Sequence, residues 1–180
     1  MSWTQPQQLA IIIINVIGGA AVIGSYVHGL MTHSGTEGIW GGVPGTIRPF
    51  YFAFMFFAAA GYFAFTYFIL FRLNPGEVLV FNRLGYWVFP VIYALILFPS
   101  ALWMPLTYAA ASHPSTALCL GIRVVLVVVG LAALALLAAL LGLNTRDGQV
   151  PYWFAVGGVG AFCIQTAVLD AVIWSAFFRC

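Results

Sequence analysis

Five apolar stretches dominate this 180-residue chain: residues 9–30, 50–71, 84–111, 117–143 and 151–178. Each reaches the roughly 20 residues that a helix needs to cross a hydrocarbon core, and the connections between them are polar or rich in Gly and Pro. A membrane barrel would show alternating segments of about ten residues, whereas runs such as 124–141 are continuously apolar. The charge content agrees: six arginines, four acids and no lysine make 6% of the chain, where a soluble domain carries about a quarter. So few ionic groups cannot cover a water-facing surface. The sequence therefore specifies an all-α, multi-pass integral membrane protein. It is a single five-transmembrane-helix bundle in contact with the lipid bilayer, its termini on opposite sides.

Several chemistries are excluded. The formal charge of +2 is spread along the chain rather than gathered in a run, so nucleic-acid binding has no electrostatic basis. Without lysine there is no retinal or pyridoxal Schiff base. Cys119, Cys163 and Cys180 form no spaced pairs, and the first two sit in apolar stretches where a thiol behaves as a small hydrophobe. A disulfide or zinc framework is not expected. Residues before Leu9 include no basic group, so the first stretch reads as retained rather than as a cleaved leader. Arg72, Arg83 and Arg146 fall on the N-terminal side, Arg48, Arg123 and Arg179 on the other, and this even split leaves the positive-inside rule without an answer. No nucleophile–base pair can be assembled, so no enzyme activity is expected.

Polar residues at membrane depth need a reason. Asp170 is the sole acid within a span, about eight residues or roughly 12 Å of helix from its end. Arg123 enters the fourth span from the same side, and an unpaired charge there costs several kcal/mol. The expectation is an Arg123–Asp170 ion pair or a water-filled pocket beside them, with Asp170 structural, substrate-facing, proton-relaying or simply held neutral. His28, His33 and His113 share that side with Glu37 and Arg48. Clustered histidines can ligate haem iron or a transition metal, but these spacings match no metal motif, and a solvated or pocket-mouth role is expected. Pro90, Pro99 and Pro105 would bend the third span, either for packing or around a ligand. Gly18, Gly19, Gly24, Gly157, Gly158 and Gly160 read as close-approach seams or a homodimer face.

The first loop, residues 31–49, carries Gly35, Gly38, Gly41, Gly42 and Gly45 around Trp40. With no strand before it and no phosphate-binding lysine after it, it is not a nucleotide cradle, and it reads as a lid or interfacial loop. Trp3, Trp40, Trp87, Trp153 and Trp174 fall near span ends, where indole suits the headgroup region. Trp103 lies deeper, and its N–H requires a partner.

The segment Ala101-Leu102-Trp103-Met104-Pro105-Leu106-Thr107-Tyr108 is similar to the third helix of the translocator protein family, the tryptophan-rich sensory proteins. Leu169-Asp170 with Val172-Ile173-Trp174 resembles that family's fifth helix, as does Pro151-Tyr152-Trp153 at its start. Thr46-Ile47-Arg48-Pro49-Phe50 and Gly61-Tyr62 resemble its passage into the second helix. The five spans and long first loop extend the likeness over the whole chain. Ser100 and Asp170 replace asparagines, the second helix lacks its Pro and Trp signature, and Pro151 to Asp170 is about two turns longer. The resemblance implies an intramembrane cavity closed by the first loop, holding a flat hydrophobic ligand such as a porphyrin, haem or sterol for transport. Trp103 and Asp170 would stand in or behind that cavity, and Trp40, Arg48, Phe50 and Tyr51 near its lid. Two other classes fit the residues. One is an assembly subunit of a larger electron-transfer or photosynthetic complex, suggested by the glycine faces and exposed aromatics. The other is a small channel or transporter, suggested by Asp170 and the prolines.

Overall fold

The computed structural model describes residues 5–32, 39–144, 146 and 148–178; Trp3, His33, Gly35, Glu37, Gly38, Arg179 and Cys180 lie outside them. Five helices are long and apolar enough to span a membrane. They are α1 (Pro6–Thr32), α2 (Arg48–Phe71), α3 (Val88–Ser112), α4 (Thr116–Leu141) and a fifth span in three parts. That span begins as α5 (Gln149–Cys163), continues as a π-helix (Ile164–Trp174) and closes with a turn, Ser175–Phe177. Side chains such as Ile17, Phe56, Leu131 and Val172 stay exposed on the outside, as lipid contact requires.

Local chemistry sets the helix ends. Ser115 caps α4 by accepting a hydrogen bond from the Leu118 N–H at 3.3 Å, which satisfies one of the first-turn donors. The third span starts later than the apolar run suggests. Residues 84–87 belong to the preceding loop, and Pro90 falls in the first turn of α3, where an amide donor has no intrahelical acceptor anyway. Only Pro99 and Pro105 are interior. The loop 72–87 is tied to the end of α4: Phe81 N donates to Gly142 O at 2.7 Å and Asn144 N to Leu79 O at 3.0 Å.

The helices form a ring in which α3 packs between α1 and α4, and the fifth span between α4 and α2. The ring closes from α1 to α2 through side chains: Gln8 Nε2 donates to Leu70 O at 2.8 Å, and the Tyr62 hydroxyl donates to Asn15 Oδ1. Both bridges lie in the N-terminal half of α1. Inside that half the ring is filled. Phe65, Phe68, Phe89 and Tyr93 are fully buried, and edge-to-face contacts join Phe65 to Tyr62, Tyr93 and Phe162 at 5.2–6.2 Å. Such pairs contribute about 0.5–1.5 kcal/mol each beyond simple burial. Buried hydroxyls here are satisfied: Tyr93 pairs with Thr66 Oγ1 at 2.7 Å, and Tyr86 donates to Ile69 O at 2.9 Å.

Glycine sets two seams. Gly18 seats against Leu97, and Gly29 against Met104 and Tyr108, which brings α1 onto α3. A Cβ on Gly61 would lie 2.7 Å from Gly158 Cα, so α2 and α5 meet backbone to backbone. Gly19, Gly24, Gly157 and Gly160 have open space where a Cβ would stand, and so take no part in these seams.

Candidate functional site

The chemistry gathers in the other half of the bundle, under the loop that joins α1 to α2. The fifth span leaves α-helical spacing at Ile164. In a π-helix hydrogen bonding runs from i to i+5, so side chains five apart share a face. Gln165 and Asp170 are such a pair, and Gln165 Nε2 donates to Asp170 Oδ1 at 2.9 Å. Ser175, five further on, donates its hydroxyl to Asp170 O at 3.4 Å.

Aromatic side chains from three other helices gather in the same half. Tyr26 of α1 and Tyr51 of α2 lie within electrostatic reach of the carboxylate, and the Tyr51 hydroxyl donates to Leu169 O at 2.6 Å. From α3, Trp103 stands 5.8 Å from Tyr26 and meets Trp174 edge-on at 5.6 Å. Interior Pro99 and Pro105 flank this part of α3, and hydroxyls bind carbonyls beside them: Ser100 to Ile96 O at 2.6 Å and Thr107 to Trp103 O at 2.8 Å. Two polar atoms in this half are buried without a partner, Trp103 Nε1 and Gln165 Oε1. Buried polar groups are nearly always hydrogen-bonded, and each exception calls for an explanation. Asp170, Tyr26 and Trp103 each retain some accessible surface.

Residues 39–47 fold over the end of the bundle. Trp174 Nε1 donates to Ile39 O at 2.8 Å, and Val43 is buried. Gly41 has φ +58°, and a Cβ there would come within 3.0 Å of Trp174 and Phe178. The loop can lie so close only because that residue lacks a side chain. Trp40 meets Tyr51 edge-on at 5.8 Å, and the Arg48 guanidinium sits 5.2 Å above the Trp40 ring. Arg48 Nε also donates to Val43 O at 3.2 Å, tying the loop to α2.

The structure thus brings Trp40, Arg48, Tyr51, Trp103 and Asp170 into one half of the bundle. Phe50 is not among them: it is 63% exposed on the outer face of α2. Nor does Arg123 pair with Asp170. Ile122, Leu126 and Val129 turn inward on α4, and Arg123 is left exposed to the outside. Trp174, expected at the headgroup level, is buried instead. His28 and His113 are exposed, and among the described residues no three metal-ligating His, Cys, Asp or Glu side chains converge. Cys119 also departs from expectation, being disulfide-bonded, whereas Cys163 is free and buried. Cys119 stands in the first turns of α4, at the loop-covered end of the bundle rather than deep in it. Sequence reasoning missed Tyr26, Gln165 and the site role of Trp174.

A separate cavity of about 690 Å³ opens outward between α2 and α5. Gly61, Ala64, Gly157 and Gly158 line it together with Phe57 and Trp153. None of the residues around Asp170 borders it. No protein-family model, no curated protein and no solved structure matches the chain.

Proposed function

We propose that this membrane protein binds a flat hydrophobic molecule, of porphyrin or sterol type, in the crevice around Asp170, without transforming it. The resemblance to the translocator protein family points the same way. The observation that carries the reading is a carboxylate at membrane depth with no cation beside it among the described residues, in the same half as the rings of Tyr26, Trp103 and Trp174 and two orphaned polar atoms. Apolar aromatic walls with a few convergent polar groups are the usual make-up of a small-molecule site. Among the described residues the α1–α2 hydrogen bonds lie in the opposite half, and this flank is where a ligand would enter from the bilayer. In detergent, protoporphyrin at micromolar concentration is expected to quench the tryptophan fluorescence, and Trp103→Ala to weaken binding about tenfold or more. Titration without quenching, or an unchanged Trp103→Ala variant, counts against the site.

The outward cavity between α2 and α5 favours a second reading, that of an assembly subunit. A groove floored by small residues lets a neighbouring helix approach closely. Comigration with a large pigment- or haem-bearing complex in mild detergent would support that reading, and a lone small particle would oppose it.

A further inference from the structure

We infer that the molecule held beside Asp170 presents a positively charged, N–H-bearing nitrogen to the floor of the crevice. This rests on the flat-ligand reading above and narrows it, away from a sterol and towards a nitrogen-bearing ring such as a porphyrin protonated at its core. Gln165 is 8% exposed, and its amide is oriented by the hydrogen bond its nitrogen gives to Asp170 Oδ1. Turning the amide over would set an oxygen against a carboxylate oxygen, two acceptors with no proton between them. The orientation is therefore determined by chemistry, and it leaves Gln165 Oε1 buried without a donor.

Among the described residues, the groups that reach the carboxylate add no positive charge. Tyr26 and Tyr51 bring hydroxyls, Ser175 a hydroxyl that binds the backbone, and Arg123 is exposed on another face. The acceptors available are the Asp170 carboxylate and Gln165 Oε1, in the half that holds the rings of Tyr26, Trp103 and Trp174. Acceptors next to aromatic faces favour a delocalised cation, which meets a carboxylate and the π-faces at once. A neutral hydrocarbon would leave Oε1 unpaired. An anion would meet the carboxylate as a like charge in a medium that screens little. Trp103 Nε1, the one orphaned donor, is left for an acceptor or a ring face on the same ligand.

Three tricyclic probes of matched shape test this at neutral pH in detergent, read by tryptophan quenching: 9-aminoacridine (a cation), anthracene (neutral) and anthracene-9-carboxylate (an anion). The cation is expected to bind about tenfold tighter than either of the others. Asp170→Asn should abolish that preference, and Gln165→Met should reduce it several-fold. Equal affinity for all three probes in the unmodified protein, or a preference that survives Asp170→Asn, overturns the assigned charge and leaves the flat-ligand reading standing. Failure of all three to bind overturns both. Should Asp170→Asn not purify as a monodisperse protein, Gln165→Met decides the matter, and an undiminished preference in it overturns the proposal.

Discussion

Arg123 and Asp170 enter neighbouring helices from the same face of the membrane, and chain distance alone would pair them. Direction separates them. On α4 the inward positions are Ile122, Val125, Leu126 and Val129, and one residue along a helix of 3.6 residues per turn points elsewhere. Arg123→Gln should therefore shift stability by no more than about 0.5 kcal/mol, whereas breaking a buried ion pair costs about 3–5 kcal/mol. Chemical denaturation in detergent micelles distinguishes the two. A cycle with Asp170→Asn should be additive within about 0.5 kcal/mol. The same reasoning explains what could be read at the residue scale. Trp103 and Asp170 stand out in a plain sequence because a polar or indole group among aliphatics demands a partner. Trp40, Arg48, Phe50 and Tyr51 come only from the family resemblance, which does not say which face of α2 each residue takes, and Phe50 points outward. Gln165 was hidden because a residue five before Asp170 has no place on an α-helical face. Tyr26 lies between Ser25 and Val27 near the end of the first span, and nothing in its sequence surroundings marks its reach to Asp170.

At the scale of elements, apolar length gave five helices to within a few residues, because hydropathy and span length are the same constraint in a bilayer. It missed the start of α3, where residues 84–87 are apolar yet serve a loop bridged to the end of α4. It also could not show that the fifth span becomes π-helical at Ile164, since composition does not encode which carbonyl an amide will choose. Glycine content suggested seams, but only packing tells which glycines are in them. Gly61 touches Gly158 across the α2–α5 contact, whereas Gly160 faces open space. Gly61→Ala should thus destabilise the bundle by about 1–3 kcal/mol through overpacking. Gly160→Ala should be neutral or slightly stabilising, since alanine is the better helix former by up to about 1 kcal/mol. Thermal unfolding of the two variants in one detergent gives the comparison, and equal losses would mean that the backbones are not in contact there.

Across the whole molecule, charge does not say which way the bundle faces, since its arginines divide evenly between the two ends. The disulfide at Cys119 does. Disulfides persist in oxidising compartments and are rare where thiols are kept reduced, and Cys119 lies at the end of the bundle covered by residues 39–47. That end, with the crevice around Asp170, is therefore expected to face the oxidising side, and the loop 72–87 the reducing side. The lack of lysine makes this testable with little background. His113 and Gly76 are exposed at opposite ends, so His113→Lys and Gly76→Lys each place a single lysine on one face. A membrane-impermeant amine reagent added to intact cells should label His113→Lys, and should reach Gly76→Lys only after permeabilisation. Reversed labelling would put the disulfide in a reducing compartment and the crevice on the cytoplasmic face. A ligand could then reach Asp170 from the oxidising side only laterally, between α1 and α2, after crossing into the bilayer.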